Sequence, residues 1–289
     1  MYTLFTDSDT DIRPEECQEL GYKLIIMPYT VNGKEVRPYE DWSKFDDKAF
    51  YSMLRTGVLP TTSALPPTDY IKYFEPEFAA GRDILYVHFS AAMSGTFNSM
   101  RLALQELKEK YPERNVYTVD TKGITICSYN IVMEIGKLYK QGKSIEEIQA
   151  WASKEVDKFA VYFYADKLKF FAKSGRVSGF TAFMGGLIGI KPIIYMSQEG
   201  KMVSIDKGRG RVQSLRKIVD YVVKLQDHIE DYTVVIGHCD ALALAEQLAG
   251  MLQKEFNNKL KIVYVPVNPT AGSHCGPDTV GVCFHAIHR

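Results

Sequence analysis

The amino-acid sequence predicts an α/β protein with two α/β domains. The N-terminal one has three layers around a parallel sheet, and the C-terminal one has a mixed sheet with helices. The chain has 289 residues, which exceeds the size at which one core usually keeps growing. In its first half, strand-like apolar runs alternate with helix-like runs, a pattern typical of a parallel sheet covered on both faces. In its second half, hairpin signals join some of the strand-like runs, which indicates a mixed sheet.

The N-terminal domain is predicted from strands separated by helix signals. Pro14 suits a first helical turn and Gly21 a helix exit, and a long amphipathic run follows Gly95. Asn32-Gly33 between β-rich flanks is a two-residue hairpin signal. We therefore expect a small β insertion at 29–45. The predicted strands are 2–6, 23–29, 83–89 and 115–120.

A helix over 143–159 closes this domain. Ser144 with Glu147 three residues later forms a capping box, and apolar residues follow at helical spacing. The boundary is predicted at the end of this helix, which gives domains of 1–159 and 160–289. Beyond it we expect strands at 160–165, 191–196, 232–238, 261–267 and 279–287, a hairpin at 197–205, and helices at 211–229 and 241–256.

Composition excludes several classes of protein. Lys plus Arg and Asp plus Glu number 35 each, without a block of like charge, which argues against nucleic acid or an anionic membrane as partner. The weakly polar run at 178–190 is too short to span a bilayer, and the chain begins like a strand and not like a signal peptide. Five cysteines without C-x-x-C spacing indicate reduced thiols in a cytoplasmic protein without a metal site.

The segment "AAMSGTFNS" at 91–99 is the strongest candidate site, because it joins a strand to a helix. Ser94 and Gly95 lie where unpaired amides and the helix dipole favour an anion. Ser94 as a simple helix cap is the commoner role. A nucleophilic serine is less favoured, since an elbow motif requires glycines where Ala92 and Thr96 stand.

Four further groups could contribute to binding, each with a purely structural alternative. Hydroxyl groups in a proline-bounded loop can orient a carboxylate or phosphate, and a histidine beside a Gly-Pro turn can donate a hydrogen bond. Arginines in glycine-flanked loops suit carboxylates and phosphates. Alternating aspartates imitate a calcium loop but lack its glycine and glutamate, so capping is the better interpretation. These groups are Thr61, Thr62 and Ser63; His274, with His238 as rival; Arg176, Arg209 and Arg211; and Asp7, Asp9 and Asp11.

The order of these motifs resembles the DegV family, and within it the FakB-type fatty-acid-binding proteins. The resemblance spans nearly the whole chain, and its combination of motifs is more specific than any one of them. The matching segments are "TDS" near the start, "TS" at 62–63, "SAAMSGTFNS" at 90–99, "VDT" at 119–121, "SGRVSG" at 174–179, "GIKPI" at 189–193, "GRGR" at 208–211 and "HCGPDTVG" at 274–281.

The resemblance implies a carrier that buries one long-chain fatty acid and needs no cofactor. A separate fatty acid kinase subunit would phosphorylate the bound carboxylate with ATP, giving an acyl phosphate, so the carrier would not be catalytic alone. Carried onto this sequence, the carboxylate contacts fall on Thr62, Ser63, Ser94, Gly95, Thr96 and His274, while Arg176 and Arg209 would face the kinase. The segment at 180–190 could line the acyl tunnel, although ordinary core packing explains it almost as well.

Two other functions remain open on the sequence. A serine hydrolase would use Ser94 as nucleophile and His274 as base, against the broken elbow motif. A purely structural or regulatory protein without ligand would have an empty core.

Overall fold

A computed structural model describes residues 2–41, 45–178 and 189–289. Its helices are α1 Pro14–Leu20, α2 Asp47–Arg55, α3 Pro67–Ala79, α4 Thr96–Lys110, α5 Ile126–Lys140, α6 Ile145–Glu155, α7 Leu168–Ser174, α8 Gly210–Leu225, α9 Leu242–Glu255 and α10 Pro269–Cys275. Its strands are β1 Tyr2–Asp7, β2 Tyr22–Ile25, β3 Tyr29–Val31, β4 Lys34–Val36, β5 Asp83–His88, β6 Val116–Asp120, β7 Phe159–Tyr164, β8 Val177–Ser178, β9 Ile190–Met196, β10 Met202–Arg209, β11 Thr233–His238, β12 Lys261–Pro266 and β13 Val280–His285.

The first half contains the predicted parallel sheet. Its strands lie in the order β2-β1-β5-β6, and every neighbouring pair is parallel. The inner strands β1 and β5 are buried along almost their whole length, as a sheet with two covered faces requires. Because parallel strands end at the same edge, the loops that follow β1, β5 and β6 meet there.

The predicted β insertion is a two-stranded hairpin. Strands β3 and β4 pair antiparallel, and the turn residues Asn32 and Gly33 have φ values of 50° and 76°. Two successive left-handed residues give the turn whose twist matches that of a hairpin. Asn and Gly are the residues that adopt this conformation at least cost. The predicted hairpin is therefore confirmed, whereas residues 42–44 of the expected insertion at 29–45 lie outside the described residues.

The second half contains the predicted mixed sheet. Its strand order is β12-β11-β13-β7-β9-β10-β8. The pairs β11–β12 and β8–β10 are parallel, and the other neighbours are antiparallel. Helices α8 and α9 cover one face with their own hydrophobic core, which leaves the other face free to meet the first half of the chain.

The largest hydrophobic core lies between the two sheets. Helix α5 contacts β7, β11 and β13 of the mixed sheet, and on its other side it contacts α1 and residues 8–10. Side chains of both sheets belong to this core, including Leu4, Leu85 and Val119 from the parallel sheet and Val161, Met196 and Val235 from the mixed sheet. The proposed boundary between residues 159 and 160 stays a prediction, but the core crosses it.

Several elements differ from the sequence prediction. Helices α2, α5, α7 and α10 were not predicted, and the helix expected over 143–159 ends at Glu155, where a turn of 3-10 helix takes over. Ser144 does form the predicted capping box with Glu147. Of the segment expected to line an acyl tunnel, residues 180–188 lie outside the described residues.

In the part of the chain that the structure describes, no helix is both long and apolar enough to cross a bilayer. The five cysteines are free, and four of them are buried.

Candidate functional site

A cavity lies between the carboxyl edge of the parallel sheet and the open face of the mixed sheet. It has two adjoining parts, which we call the polar end and the apolar end. Both parts share lining residues, so they lie next to each other. The shared residues are Met93, Ile124, Arg176, Ala271 and His274.

Strands of the mixed sheet and the start of α5 form part of the wall of the apolar end. Its walls include Ile126, Val161, Phe163, Met196 and Met202. A cavity with walls of this kind suits an apolar ligand body.

Two glycines lie opposite each other in this wall. Gly237 of β11 pairs with Gly281 of β13, and both line the apolar end. A Cβ on Gly237 would lie 2.6 Å from Cγ2 of Ile126, and one on Gly281 would lie 2.9 Å from the carbonyl oxygen of Tyr162. Neither position has room for a side chain, so the absence of a Cβ sets the shape of the wall.

The polar end gathers the residues that the sequence nominated. Thr62, Ser63, Ser94, Gly95, Thr96 and His274 all line it. They come from three separate segments: the loop before α3, the junction of β5 and α4, and the last turn of α10. Their role as ligand contacts stays a prediction, but the fold does bring them together.

Thr62 and His274 are joined across 212 residues of sequence. The Thr62 hydroxyl and His274 Nε2 form a hydrogen bond of 2.7 Å. Burial, together with the nearby cations Arg176 and Lys173, lowers the pKa of His274 to about 4. The imidazole is therefore neutral near pH 7, and it contributes hydrogen bonding and not charge.

Ser94 faces the cavity, and it precedes Gly95, the N-cap of α4. Its Oγ accepts a hydrogen bond of 3.2 Å from the N–H of Thr96, the first residue of α4, so it supports the start of the helix without being its N-cap. This bond uses a lone pair and not the hydroxyl proton, so Ser94 can still donate to a ligand.

Thr96 is committed to the surrounding loop. Its hydroxyl accepts a hydrogen bond of 3.1 Å from the Leu65 N–H and lies 2.9 Å from the Tyr70 hydroxyl. It is 1% exposed. Thr96 therefore fixes the loop that carries Thr62 and Ser63 against α4, in addition to lining the site.

The family resemblance implied that Arg176 would face the kinase. In the structure, Arg176 lies inside the site. It donates hydrogen bonds to the carbonyls of Met93 (3.4 Å) and Ser174 (2.8 Å), and it lines both ends of the cavity. Among the described residues, no carboxylate lies within ion-pair distance of it. Arg209, at the end of β10, is exposed and does not line the cavity, and Arg211 pairs with Asp166 and Asp278.

The geometry does not assemble a serine-hydrolase triad from the described residues. His274 Nε2 bonds Thr62, and no hydrogen bond joins it to Ser94 or to a carboxylate. The rival His238 accepts a hydrogen bond from the Ala241 N–H and lies outside both ends of the cavity.

The aspartates after β1 act as the capping interpretation predicts. Asp7 accepts hydrogen bonds from Tyr86 and from the Phe89 and Asp9 N–H groups, and Asp11 accepts two from Asn268. No group of side chains suited to hold a metal occurs among the described residues. Asp9 also lines the polar end. The alternating pattern did not predict this, because it does not indicate which carboxylate faces inward.

Comparison with known proteins places the chain in a family. A family model described as "Uncharacterised protein, DegV family" matches residues 1–286. The chain belongs to the DegV family. A DegV domain-containing protein of Clostridium perfringens is 33% identical over 284 residues, which cover 98% of this chain and 97% of the relative. A DegV domain-containing protein of Streptococcus pyogenes is 27% identical over 97% of this chain and 96% of its own.

Solved DegV-family structures share the fold over the whole chain. A stearic acid-binding protein from Eubacterium ventriosum superposes with a TM-score of 0.86 at 19% identity, covering 99% of this chain and 98% of its own. A fatty-acid-binding DegV family protein from Thermus thermophilus gives 0.83 at 23% identity, covering 99% of both chains.

Proposed function

We propose that this DegV-family protein binds one long-chain fatty acid and presents its carboxylate to a fatty acid kinase, which phosphorylates it with ATP to an acyl phosphate. The carboxylate would contact Thr62, Ser63, Ser94, Gly95, Thr96 and His274 at the polar end. One observation carries the proposal: Arg176 and several hydroxyl donors line the same end of an apolar cavity. Among the described residues, Arg176 has no carboxylate within ion-pair distance.

The two ends supply different parts of the binding energy. Each methylene buried in the apolar end contributes about 0.8 kcal/mol. A carboxylate at the polar end gains charge-assisted hydrogen bonds, each worth about 1.5 to 3 kcal/mol. Solved relatives named for stearic, vaccenic and heptadecanoic acid support the same ligand class.

The position of the polar end supports presentation to a partner. Ser63 and Gly95 line it and are exposed, so a head group bound there would lie close to the surface. The exposed Arg209 is a candidate docking residue, and Arg176 would act from within the site. The proposed reaction needs ATP, and the five cysteines are free. Both fit a cytoplasmic protein.

Mass spectrometry of the purified protein tests fatty-acid binding directly. An organic-solvent extract of the denatured protein should contain about one long-chain acid per chain, and added oleate should raise the melting temperature of delipidated protein. An extract without such an acid, combined with an unchanged melting temperature, would exclude the proposal.

Charge reversal tests the docking of the kinase separately. With a fatty acid kinase catalytic subunit and ATP, Arg209→Glu should slow acyl phosphate formation about tenfold while leaving oleate affinity unchanged, because rim charges chiefly affect association. Lys140→Glu is the control. Lys140 is an exposed cation at the last residue of α5, whereas the cavity lies at the first residue of this helix. Equal rates for both variants would remove Arg209 from the docking surface.

A further inference from the structure

Asp9 is a buried acid that faces the proposed head-group site. It lines the polar end and is 7% exposed. Its backbone is held, since its N–H donates to Asp7 and its carbonyl accepts a hydrogen bond of 2.7 Å from the Thr125 N–H. Its side-chain Oδ1 has no hydrogen-bond partner among the described residues. Such an atom costs free energy unless a ligand or a proton satisfies it.

The neighbouring Asp7 shows what is missing at Asp9. Asp7 is equally buried, but it accepts hydrogen bonds from one phenol and two backbone N–H groups. Asp9 receives none of these donors, and burial and the charge of Asp7 both raise its pKa. The two acids lie only two residues apart. Their different numbers of hydrogen-bond donors therefore arise from the different directions of the two side chains.

The charged surroundings of Asp9 limit what can bind beside it. Asp7 and Asp11 lie on the same loop, and Asp11 and the phenols of Tyr39 and Tyr70 sense its charge. Thr125, the residue just before α5, adds an uncharged N–H.

Arg176, which also lines the polar end, is the cation whose charge Asp9 senses. His274, also in the lining, is neutral near pH 7 because its pKa is lowered to about 4. One arginine can balance one carboxylate. An ionised Asp9 and an ionised ligand would therefore leave a net negative charge in a buried site, which is unfavourable.

We propose that Asp9 is a further ligand contact, and that it and the carboxylate of the bound acid share one proton. This inference rests on the proposed function. In the complex, the shared proton lies between an Asp9 oxygen and a ligand oxygen, one acting as donor and the other as acceptor. When an ionised Asp9 meets an ionised ligand, the complex takes up one proton from solvent, and no covalent bond changes.

The inference predicts how affinity depends on pH. At pH values where free Asp9 is ionised, each further pH unit should weaken oleate binding about tenfold, as linkage to one proton requires. Asp9→Asn keeps the shape of the side chain and provides an amide donor, so its affinity should not change with pH in this range. Asp9→Ala should also lack the pH dependence, but its affinity should be lower than that of Asp9→Asn.

Titration calorimetry can measure the proton directly. Delipidated protein is titrated with oleate supplied from cyclodextrin between pH 5 and 9.5, in pairs of buffers with different ionisation enthalpies. The wild type should take up close to one proton per oleate at the alkaline end, and Asp9→Asn should take up none. Asp11→Asn is the matched control, because Asp11 is a buried acid of the same loop that does not line the cavity; it should behave like the wild type.

The outcomes separate this inference from the proposed function. Oleate binding with the same proton uptake and pH dependence in wild type and Asp9→Asn would overturn the role of Asp9 while leaving fatty-acid binding intact. Failure of oleate to bind the wild type at any pH would overturn the proposed function itself, and this inference with it.

Discussion

The two ends of the cavity are built from different kinds of structure. Six residues that line the apolar end lie in strands of the mixed sheet, where sheet hydrogen bonds fix their positions, and the others lie in loops and helices. The polar end consists of loops and helix ends, where each side chain has its own local partners. We infer that changes at the apolar end chiefly affect stability, whereas changes at the polar end chiefly affect ligand affinity and pH dependence.

Adding one methyl group to the strand wall should have the largest effect. In Gly281→Ala the new Cβ meets Cβ of Phe163 and the Tyr162 carbonyl oxygen, and we expect a loss of about 3 kcal/mol in the free energy of unfolding from overpacking. Urea denaturation measures this loss. The matched control is Gly250→Ala in α9, where a Cβ meets nothing within 4 Å; it should gain up to about 1 kcal/mol. Similar stabilities for the two variants would contradict a rigid wall.

The pH dependence of stability should reveal the neutral imidazole at the polar end. The unfolded chain protonates His274 near pH 6.5, but the folded chain does so only near pH 4. Stability is therefore lost as pH falls through this window, whereas Asp7 and Asp11, with pKa values raised to about 7, act in the opposite direction. At about 1.4 kcal/mol per pKa unit, wild type should lose about 2.5 kcal/mol more than His274→Asn between pH 6.5 and 4.

Thermal or urea unfolding at several pH values gives this difference, because the buried acids cancel between the two proteins. Parallel curves would show that His274 protonates as easily in the folded chain as in the unfolded one.

Removing the Ser94 hydroxyl should have the smallest of the three effects, and it should fall on affinity. Ser94→Ala should weaken oleate binding by about 2 kcal/mol, because one charge-assisted hydrogen bond is lost. Calorimetry measures the affinity, and Ser99→Ala, in the same helix but outside the cavity lining, is the control. Full affinity in Ser94→Ala would restrict Ser94 to its hydrogen bond with the Thr96 N–H at the start of α4.

The sequence was most informative where local chemistry decides the structure. The Asn32-Gly33 turn and the Ser144 capping box follow from the preferences of a few adjacent residues. Helix α10 did not follow, because it has only seven residues and Gly272 lowers its helix propensity. A Cβ on Gly272 would lie 2.6 Å from the Tyr51 hydroxyl oxygen. This glycine therefore permits close packing against α2, which is a tertiary requirement that local propensity does not show.

The sequence indicated which residues belong to the candidate site, but not which side chains face into the cavity. The resemblance nominated Thr62, Ser94 and His274, and the fold places all three at the polar end. Whether Arg176 or Asp9 faces inward depends on contacts between distant segments, such as the bond from Arg176 to the Met93 carbonyl. No spacing within either segment encodes that contact.

The shared core between the sheets has a consequence for how the chain unfolds. Because α5 packs on elements from both halves, separating the sheets would expose apolar surface on each of them at once. The chain should then lose its structure in one cooperative transition. A fragment ending at residue 159 would keep the parallel sheet but lose the strands that cover α5. The same core that forms the cavity thus makes the two halves interdependent in folding.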